Sequence, residues 1–171
     1  ATAQRRPALV PASGVHYFDI RNSPSVPFAG GRRVVHYFFS LRCIHCSLLA
    51  KDVALFSCRL DSGVNLIPVH VDFGSEPAPY QAFYSSVVGM PGGAAAITKA
   101  YELIHGPRAL RVNGKAGAIA LAKELGLDSG RVASAYDGFA TASQVTRANT
   151  LTSAFGVDGT PSFAVDVKYF I

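Results

Sequence analysis

The feature that most constrains the fold of this chain is a pair of cysteines, Cys43 and Cys46, which comes directly after a hydrophobic run. The run, Arg33–Phe39, is almost continuously apolar, as is typical of a strand buried on both faces of a sheet. Apolar residues at helical spacing follow the pair and predict a helix from Cys43 to about Arg59. The sequence therefore predicts a buried strand, a short loop and a helix whose first turn carries both thiols.

Two thiols at this spacing can close a small disulfide ring, or they can supply half of a zinc site. At a helix N-terminus the helix dipole favours the thiolate form of Cys43, which is the attacking species in disulfide exchange. A zinc site needs two further ligands at regular spacing, and neither Cys58 nor the histidines show that spacing. We therefore expect redox chemistry with no metal and no other cofactor. A zinc half-site and an inert structural disulfide are the alternatives.

Composition narrows the class of protein further. The chain has 171 residues, of which 49% are hydrophobic and 16% charged, as expected of one compact globular domain. The net charge is only +5 and no predicted helix carries a basic stripe, so we expect no nucleic-acid partner. The opening Ala1-Thr2-Ala3 resembles the end of a signal-peptide cleavage site, which favours an exported protein in an oxidising compartment.

Two further strands are predicted in the N-terminal part of the chain. After a flexible arm at 1–14, a first strand is predicted over Val15–Ile20. Another is predicted over Asn65–Phe73, in which Pro68 indicates an edge position, a bulge or a late start of the strand. The predicted strand, helix and strand around the cysteine pair form a crossover unit with parallel strands.

From residue 74 to residue 155 the pattern becomes helical and rich in alanine, with no strand signal. Five helices are predicted: Tyr80–Val88, Ala94–His105, Lys115–Leu125, one from an N-cap at Asp128 to about Tyr136, and Ala140–Phe155. A block of this length predicts an all-helical subdomain inserted into the α/β unit. The predicted division is thus 15–73, a helical insertion at 74–155, and a closing turn and two strands at 156–171.

A second signal, Gly159-Thr160-Pro161, stands directly before the last predicted hairpin. With the order of elements given above, the chain resembles the DsbA family of thiol:disulfide oxidoreductases, which are periplasmic proteins with a thioredoxin fold. The resemblance covers roughly residues 15–171. It is sharpest at Phe38-Phe39-Ser40, at His45, at Val69-His70-Val71-Asp72-Phe73 and at Gly159-Thr160-Pro161-Ser162-Phe163. It implies a thioredoxin fold with an inserted all-helical subdomain.

The resemblance also implies the roles of the catalytic residues. Cys43 would be the nucleophile and the sulfur attacked in mixed disulfides, and Cys46 would be its more buried resolving partner. His45 would stabilise the Cys43 thiolate by a hydrogen bond or by positive charge. That would stabilise the reduced form and make the disulfide a stronger oxidant.

Substrate binding is implied in the same way. A cis Thr160–Pro161 bond would lie beside the disulfide, the backbone of Thr160 would pair with an extended substrate, and Ile44 would add apolar surface. The substrates would be cysteine-containing unfolded or exported proteins. A membrane redox partner would reoxidise the pair, and the enzyme would be a monomer. A reductase or isomerase, and a chaperone-like peptide-binding module on the same fold, are the alternatives.

The sequence departs from the family pattern at several places. Ile44-His45 stands where the common pair is Pro-His, and the family usually has a further helix after the hairpin that ends here at Ile171. Tyr37 stands where many members carry a buried acid, and Pro68 where the matching strand often carries a lysine. The usual buried charge pair is therefore predicted to be absent, which leaves the redox potential open.

Three further side-chain predictions concern the core. Cys58 is predicted to be a buried small hydrophobe near the end of the first helix. His70 is predicted to be a core histidine with its hydrogen bonds satisfied. The aromatic residues Tyr80, Phe83 and Tyr84 have helical spacing and are predicted to pack the core of the helical subdomain.

Overall fold

The structure, a computed structural model, describes residues 10–20, 32–74 and 78–171. Positions 1–9 of the predicted arm lie outside the described residues. The described elements form a mixed sheet and a set of helices. They are β1 (Phe18–Asp19), β2 (Arg33–Phe39), α1 (Ile44–Cys58), β3 (Val64–His70), α2 (Pro79–Val87), α3 (Gly93–His105), α4 (Lys115–Glu124), α5 (Ser129–Tyr136), α6 (Phe139–Ala154), β4 (Ser162–Val165) and β5 (Tyr169–Phe170).

The sheet has the strand order β1-β5-β4-β2-β3. β2 and β3 run parallel and are joined through α1, whereas β4, β5 and β1 are added by antiparallel pairing. Pro68 lies in β3, which among the described strands is paired with β2 alone. The edge position predicted for this proline is confirmed, and it is tolerated there because one side of an edge strand needs no hydrogen-bond donor.

β2 is the central strand that positions the cysteine pair. Six of its seven residues are buried, which confirms the predicted burial on both faces. Tyr37 and Phe39 pack into a cluster with Cys46 and the core of the helical block. Phe38 points the other way and packs with Leu151 and Phe155, at the C-terminal end of α6. The sheet therefore carries helices on both faces.

Among the described residues between β3 and β4 the regular elements are all helices, α2 to α6. Their core is built on side chains with no solvent exposure, including Phe83, Leu121 and Val132. Asp128 is the N-cap of α5, as predicted, and its carboxylate accepts the Arg131 N–H at 3.0 Å. The division of the chain at 74 and 155 stays a prediction, and α6 contributes to the second face of the sheet as well as to the helical block.

Two predicted strands are longer than the observed ones. β1 is only two residues long because residues 14–16 form a turn, in which the Ala12 N–H donates to the His16 ring at 3.0 Å. β3 ends at His70, which is paired with Phe39, the last residue of β2. Beyond Phe39 the neighbouring chain turns away into the cysteine loop, so the strand loses its partner.

The prediction that Cys58 is buried is wrong. Cys58 is the last residue of α1 and its side chain is exposed. Cys46 is the fully buried residue of α1. Cys58 lies twelve positions further on, about 120° around the helix axis from Cys46. The side chain of Cys58 therefore points away from the sheet.

Candidate active site

The two cysteines occupy the first turn of α1, where they differ sharply in exposure. Cys43 is the N-cap residue, and its Sγ accepts the Cys46 N–H at 3.3 Å. Cys46 lies one turn into the helix and is fully buried, whereas Cys43 is partly exposed. Both are free thiols in this structure. Cys43 is therefore the sulfur that a second protein can reach.

The loop before β4 brings Thr160 against Cys43. Ser162, the first residue of β4, is paired with Phe38 of β2, so the preceding loop lies beside the N-terminus of α1. The Thr160–Pro161 peptide bond is cis, in agreement with the prediction from the sequence. The Cys43 thiol donates to the Thr160 carbonyl at 3.2 Å. Two segments 117 residues apart thus form one site.

The surroundings of the two sulfurs shift their pKa values in opposite directions. Partial burial by itself raises the pKa of Cys43, but hydrogen bonds from the Thr160 side chain, the Cys46 thiol and the backbone at Cys46 and His45 outweigh it and lower that pKa. Burial raises the pKa of Cys46 to about 11. Cys43 is therefore the thiol of the reduced pair that loses its proton first, and Cys46 keeps its proton to higher pH.

The dipeptide between the cysteines faces solvent. Ile44 is 50% exposed and directly follows Cys43. His45 is exposed, and its imidazole makes no hydrogen bond or ion pair with any other described residue. Its contribution to the pKa of Cys43 comes through the backbone. The role of the His45 ring in stabilising the thiolate stays a prediction.

The loop that leads into Cys43 is held on both sides by histidines. The Leu41 N–H donates to Nε2 of His70 at 3.0 Å, and Nε2 of His105 contacts the Leu41 carbonyl at 2.8 Å. Tyr101 adds a hydrogen bond from its hydroxyl to the Ser40 carbonyl at 3.4 Å. Burial lowers the pKa of His70 to about 3, so this ring stays a neutral acceptor. α3 thus fixes the active-site loop through Tyr101 and His105.

Sequence reasoning placed His70 in the core, and the structure agrees on its burial, although among the described residues its Nδ1 has no hydrogen-bond partner. The support given by Tyr101 and His105 was missed. Both lie more than 60 positions from the loop that they contact. No local pattern could have marked them, because the contact depends on how α3 packs beside β2.

A cleft of about 380 Å³ opens in front of Cys43. It is lined by Ser40, Arg42, Cys43, Asp72, Phe73, Gly74 and Thr160. Arg42 and Asp72 form an ion pair across it at 3.7 Å, and the Asp72 carboxylate also accepts the Gly74 N–H at 3.0 Å. Phe73 is 57% exposed. The cleft therefore offers both charge and apolar surface next to the reactive sulfur.

The cleft differs in part from the substrate surface predicted from the sequence. Thr160 lines it, but Ile44 and Pro161 do not. Arg42, Asp72 and Phe73 were missed. Asp72 and Phe73 lie inside the segment Val69–Phe73 and Arg42 directly precedes Cys43, but only the tertiary structure brings the three together at one opening.

In the described ranges, no three His, Cys, Asp or Glu side chains come together in a way that could hold a metal ion. No described helix combines the length and the apolar character needed to cross a membrane.

The chain is similar in sequence to known thiol:disulfide interchange proteins. No family model matches the chain. It is 29% identical over 169 residues to the thiol:disulfide interchange protein DsbA of Bordetella parapertussis, covering 99% of this chain and 79% of that protein. The corresponding protein of Bordetella pertussis is 28% identical over the same length. These similarities, which extend over almost the whole chain, support a DsbA-family oxidoreductase.

Solved structures of DsbA proteins share the fold. The DsbA of Xylella fastidiosa superposes with a TM-score of 0.83 at 21% identity, covering 94% of this chain and 87% of that one. NmDsbA1 of Neisseria meningitidis superposes with a TM-score of 0.81 at 20% identity, covering 93% and 83%. The predicted α/β fold, a thioredoxin fold with a helical insertion, is confirmed. The chain is a protein disulfide oxidoreductase.

Tyr37 packs in one cluster with Cys46, the buried thiol of the pair. Tyr37 of β2 and Pro68 of β3 are directly paired in the sheet, and neither carries a charge. The Tyr37 ring stacks between Phe39, at 5.2 Å between ring centroids, and Phe163, at 4.8 Å. The two positions that were predicted to lack a buried charge pair therefore hold an aromatic side chain and a proline.

The lowered pKa of Cys43 predicts the pH dependence of its reactivity. In the reduced protein, alkylation of Cys43 should stay fast well below the pKa of an ordinary thiol, about 8.5, and should fall only as pH drops through the lowered value. Because the folded state then binds fewer protons than the unfolded chain, the stability of the reduced protein should rise with pH between these two pKa values. Rates of alkylation by iodoacetamide against pH measure this, in a Cys58→Ser background that removes the exposed third thiol. A midpoint at or above that of glutathione would contradict the prediction.

Proposed function

We propose that this enzyme is a dithiol oxidase that donates its Cys43–Cys46 disulfide to cysteines of exported proteins in the bacterial periplasm. One observation carries the proposal: the partly exposed Cys43 sulfur at the N-terminus of α1 has a lowered pKa. Anything that stabilises the Cys43 thiolate stabilises the reduced pair. A more stable reduced pair makes the disulfide a stronger oxidant.

The proposed reaction passes through a mixed disulfide. A substrate thiolate attacks Sγ of Cys43, the Cys43–Cys46 bond breaks, and its electron pair goes to Sγ of Cys46. A second substrate thiolate then attacks the substrate sulfur bound to Cys43, which leaves as a thiolate. The substrate gains a disulfide and the enzyme gains the two electrons. The burial of Cys46 supports this order, because it leaves Cys43 as the reachable sulfur.

Substrate peptides are proposed to bind along the loop that contains Thr160 and Pro161, with backbone pairing at Thr160. Ile44 would lie under one side of such a peptide. The cleft beyond Cys43 supports this placement, because it gives the peptide an open path past the reactive sulfur. Proteins that are still unfolded expose both the cysteine and the extended backbone that such binding needs.

Each turnover leaves two electrons on the Cys43–Cys46 pair, so a second partner must remove them. We propose a membrane redox protein for this role, and we propose that the enzyme acts as a monomer without nucleic acid. The names of the relatives, thiol:disulfide interchange proteins, support an exchange partner in general terms.

The experiment that tests the oxidase proposal is the reduction potential of the Cys43–Cys46 pair, measured by thiol trapping and mass spectrometry in glutathione buffers. A potential well above that of thioredoxin, about −270 mV, is expected. A value near that of thioredoxin would contradict the oxidase proposal and favour a reductase or isomerase. A chaperone-like module would instead show no exchange activity and would keep its protection of unfolded clients after both cysteines were replaced by alanine.

A further inference from the structure

The hydroxyl of Tyr37 is a buried polar group with no hydrogen-bond partner among the described residues. The side chain is only 5% exposed and its ring is fixed between Phe39 and Phe163. A buried donor that is left unpaired destabilises a fold and is rare in native proteins. We therefore expect the Tyr37 hydroxyl to find a hydrogen-bond partner in another state of the protein.

The surroundings of this hydroxyl point to the resolving thiol. Tyr37, Cys46 and Tyr101 belong to one packed cluster on the α1 side of the sheet. After burial, Cys46 has the largest influence on the pKa of Tyr37, followed by Cys43 and Tyr101. The hydroxyl of Tyr101 already donates to the Ser40 carbonyl. The two hydroxyls also influence each other, and because the Tyr101 proton is used at Ser40, the Tyr37 proton is the one left for Cys46.

We propose that Tyr37 is a catalytic residue that donates a hydrogen bond to Sγ of Cys46 while that sulfur carries negative charge. The proposal rests on thiol–disulfide exchange at the site described above. No bond to Tyr37 forms or breaks, and its proton stays on the phenol.

The charge that Tyr37 would meet appears only during the reaction. When the Cys43–Cys46 bond breaks, the electron pair goes to Cys46, and the reverse step begins from the Cys46 thiolate. Burial makes that charge costly, since it raises the pKa of Cys46 to about 11. Backbone at Ser40 and the Thr160 side chain relieve part of this cost. A further donor that is already in place and otherwise unpaired adds to them without reorganisation.

The same environment fixes the direction of the hydrogen bond. Burial, together with the neighbouring Cys46 thiol, raises the pKa of Tyr37 far above its usual range, so the phenol stays protonated and can act as donor. In the disulfide and in the resting reduced pair Cys46 carries no charge. Tyr37 should therefore change the rates of exchange in both directions and leave the equilibrium between the two forms unchanged.

Tyr37→Phe tests this, with Tyr84→Phe as the matched control in the same Cys58→Ser background. Tyr84 is a buried tyrosine that packs on Phe39, and its raised pKa arises from burial alone, without a thiol. Rates of disulfide transfer to and from glutathione should both fall on the order of tenfold in Tyr37→Phe, as for loss of one hydrogen bond to a charged group. The reduction potential should stay unchanged, and Tyr84→Phe should leave the rates unchanged.

A direct readout comes from titrating Cys46 alone. In a variant that also carries Cys43→Ser, thiolate absorbance should give an acid dissociation constant for Cys46 that is about tenfold smaller in Tyr37→Phe. The free energy of unfolding should not fall, because the substitution removes an unpaired group. Unchanged rates together with an unchanged Cys46 titration would overturn the proposal. A lower stability with a shifted potential would overturn it in favour of a structural role.

These measurements separate this inference from the oxidase proposal. Exchange with glutathione in both directions does not depend on whether the enzyme oxidises or reduces its natural substrates. A potential near that of thioredoxin would end the oxidase proposal and leave the expected effect of Tyr37→Phe in place.

Discussion

Replacing Cys43 by serine is expected to reduce thiol–disulfide exchange to the level of the buffer alone. Serine cannot form a disulfide, and Cys46 is fully buried, so no second sulfur of the site can accept the incoming thiolate. The measurement is the rate of oxidation of a peptide with two cysteines. Cys58→Ser is the control, since Cys58 is exposed at the far end of α1 and should keep full activity.

Retention of full activity in Cys43→Ser would contradict the mechanism at its first step. Loss of activity in Cys58→Ser as well would place a required thiol outside the first turn of α1. Thermal unfolding of both variants accompanies the assay, so that a loss of fold is not read as a loss of chemistry.

The second large effect is expected from Cys46→Ala, which should convert the enzyme into a trap. Reduced Cys43 can attack a disulfide in a substrate protein, which releases the other substrate sulfur as a thiolate and leaves a mixed disulfide. The enzyme cannot resolve this mixed disulfide itself, because Cys46, one turn away, has been replaced. Covalent complexes should accumulate with substrate proteins and disappear on reduction. They are detected on non-reducing gels and by mass spectrometry, with Cys58→Ser added to prevent adducts at the exposed thiol.

The control is the same variant with Cys43→Ser, which should form no complexes. Complexes that persist in this control would show that trapping does not pass through Cys43. The identity of the trapped proteins also tests the proposed substrates, because exported proteins with cysteines should dominate if the enzyme works in the periplasm.

The oxidising strength of the pair depends on how this chain stabilises charge without ionised residues beneath the thiols. Cys43 receives hydrogen bonds from backbone and from side chains, all of them neutral groups. Tyr37 and Pro68, which are paired in the sheet, carry no charge. The pH dependence of exchange should therefore follow the cysteines themselves, with no further titration from a buried acid or base.

The local elements of this fold were determined by the sequence alone. The apolar run of β2, the cysteine spacing and the helical pattern after it define the strand, loop and helix of the site, because burial on both faces and the 3.6-residue period leave a direct mark on residue order. The cap at Asp128 likewise marks the start of α5, because a cap acts within one turn. These signals involve residues close together in the chain.

The tertiary structure decided which distant residues serve the site. His105 and Tyr101 hold the loop before Cys43 across 64 and 61 positions, and Thr160 reaches Cys43 across 117. The exposure of Cys58 and the unpaired hydroxyl of Tyr37 also depend on which helix or strand packs against each residue. Such contacts follow from the docking of whole elements, whose geometry is set by side-chain packing throughout the core, so no short stretch of sequence contains them.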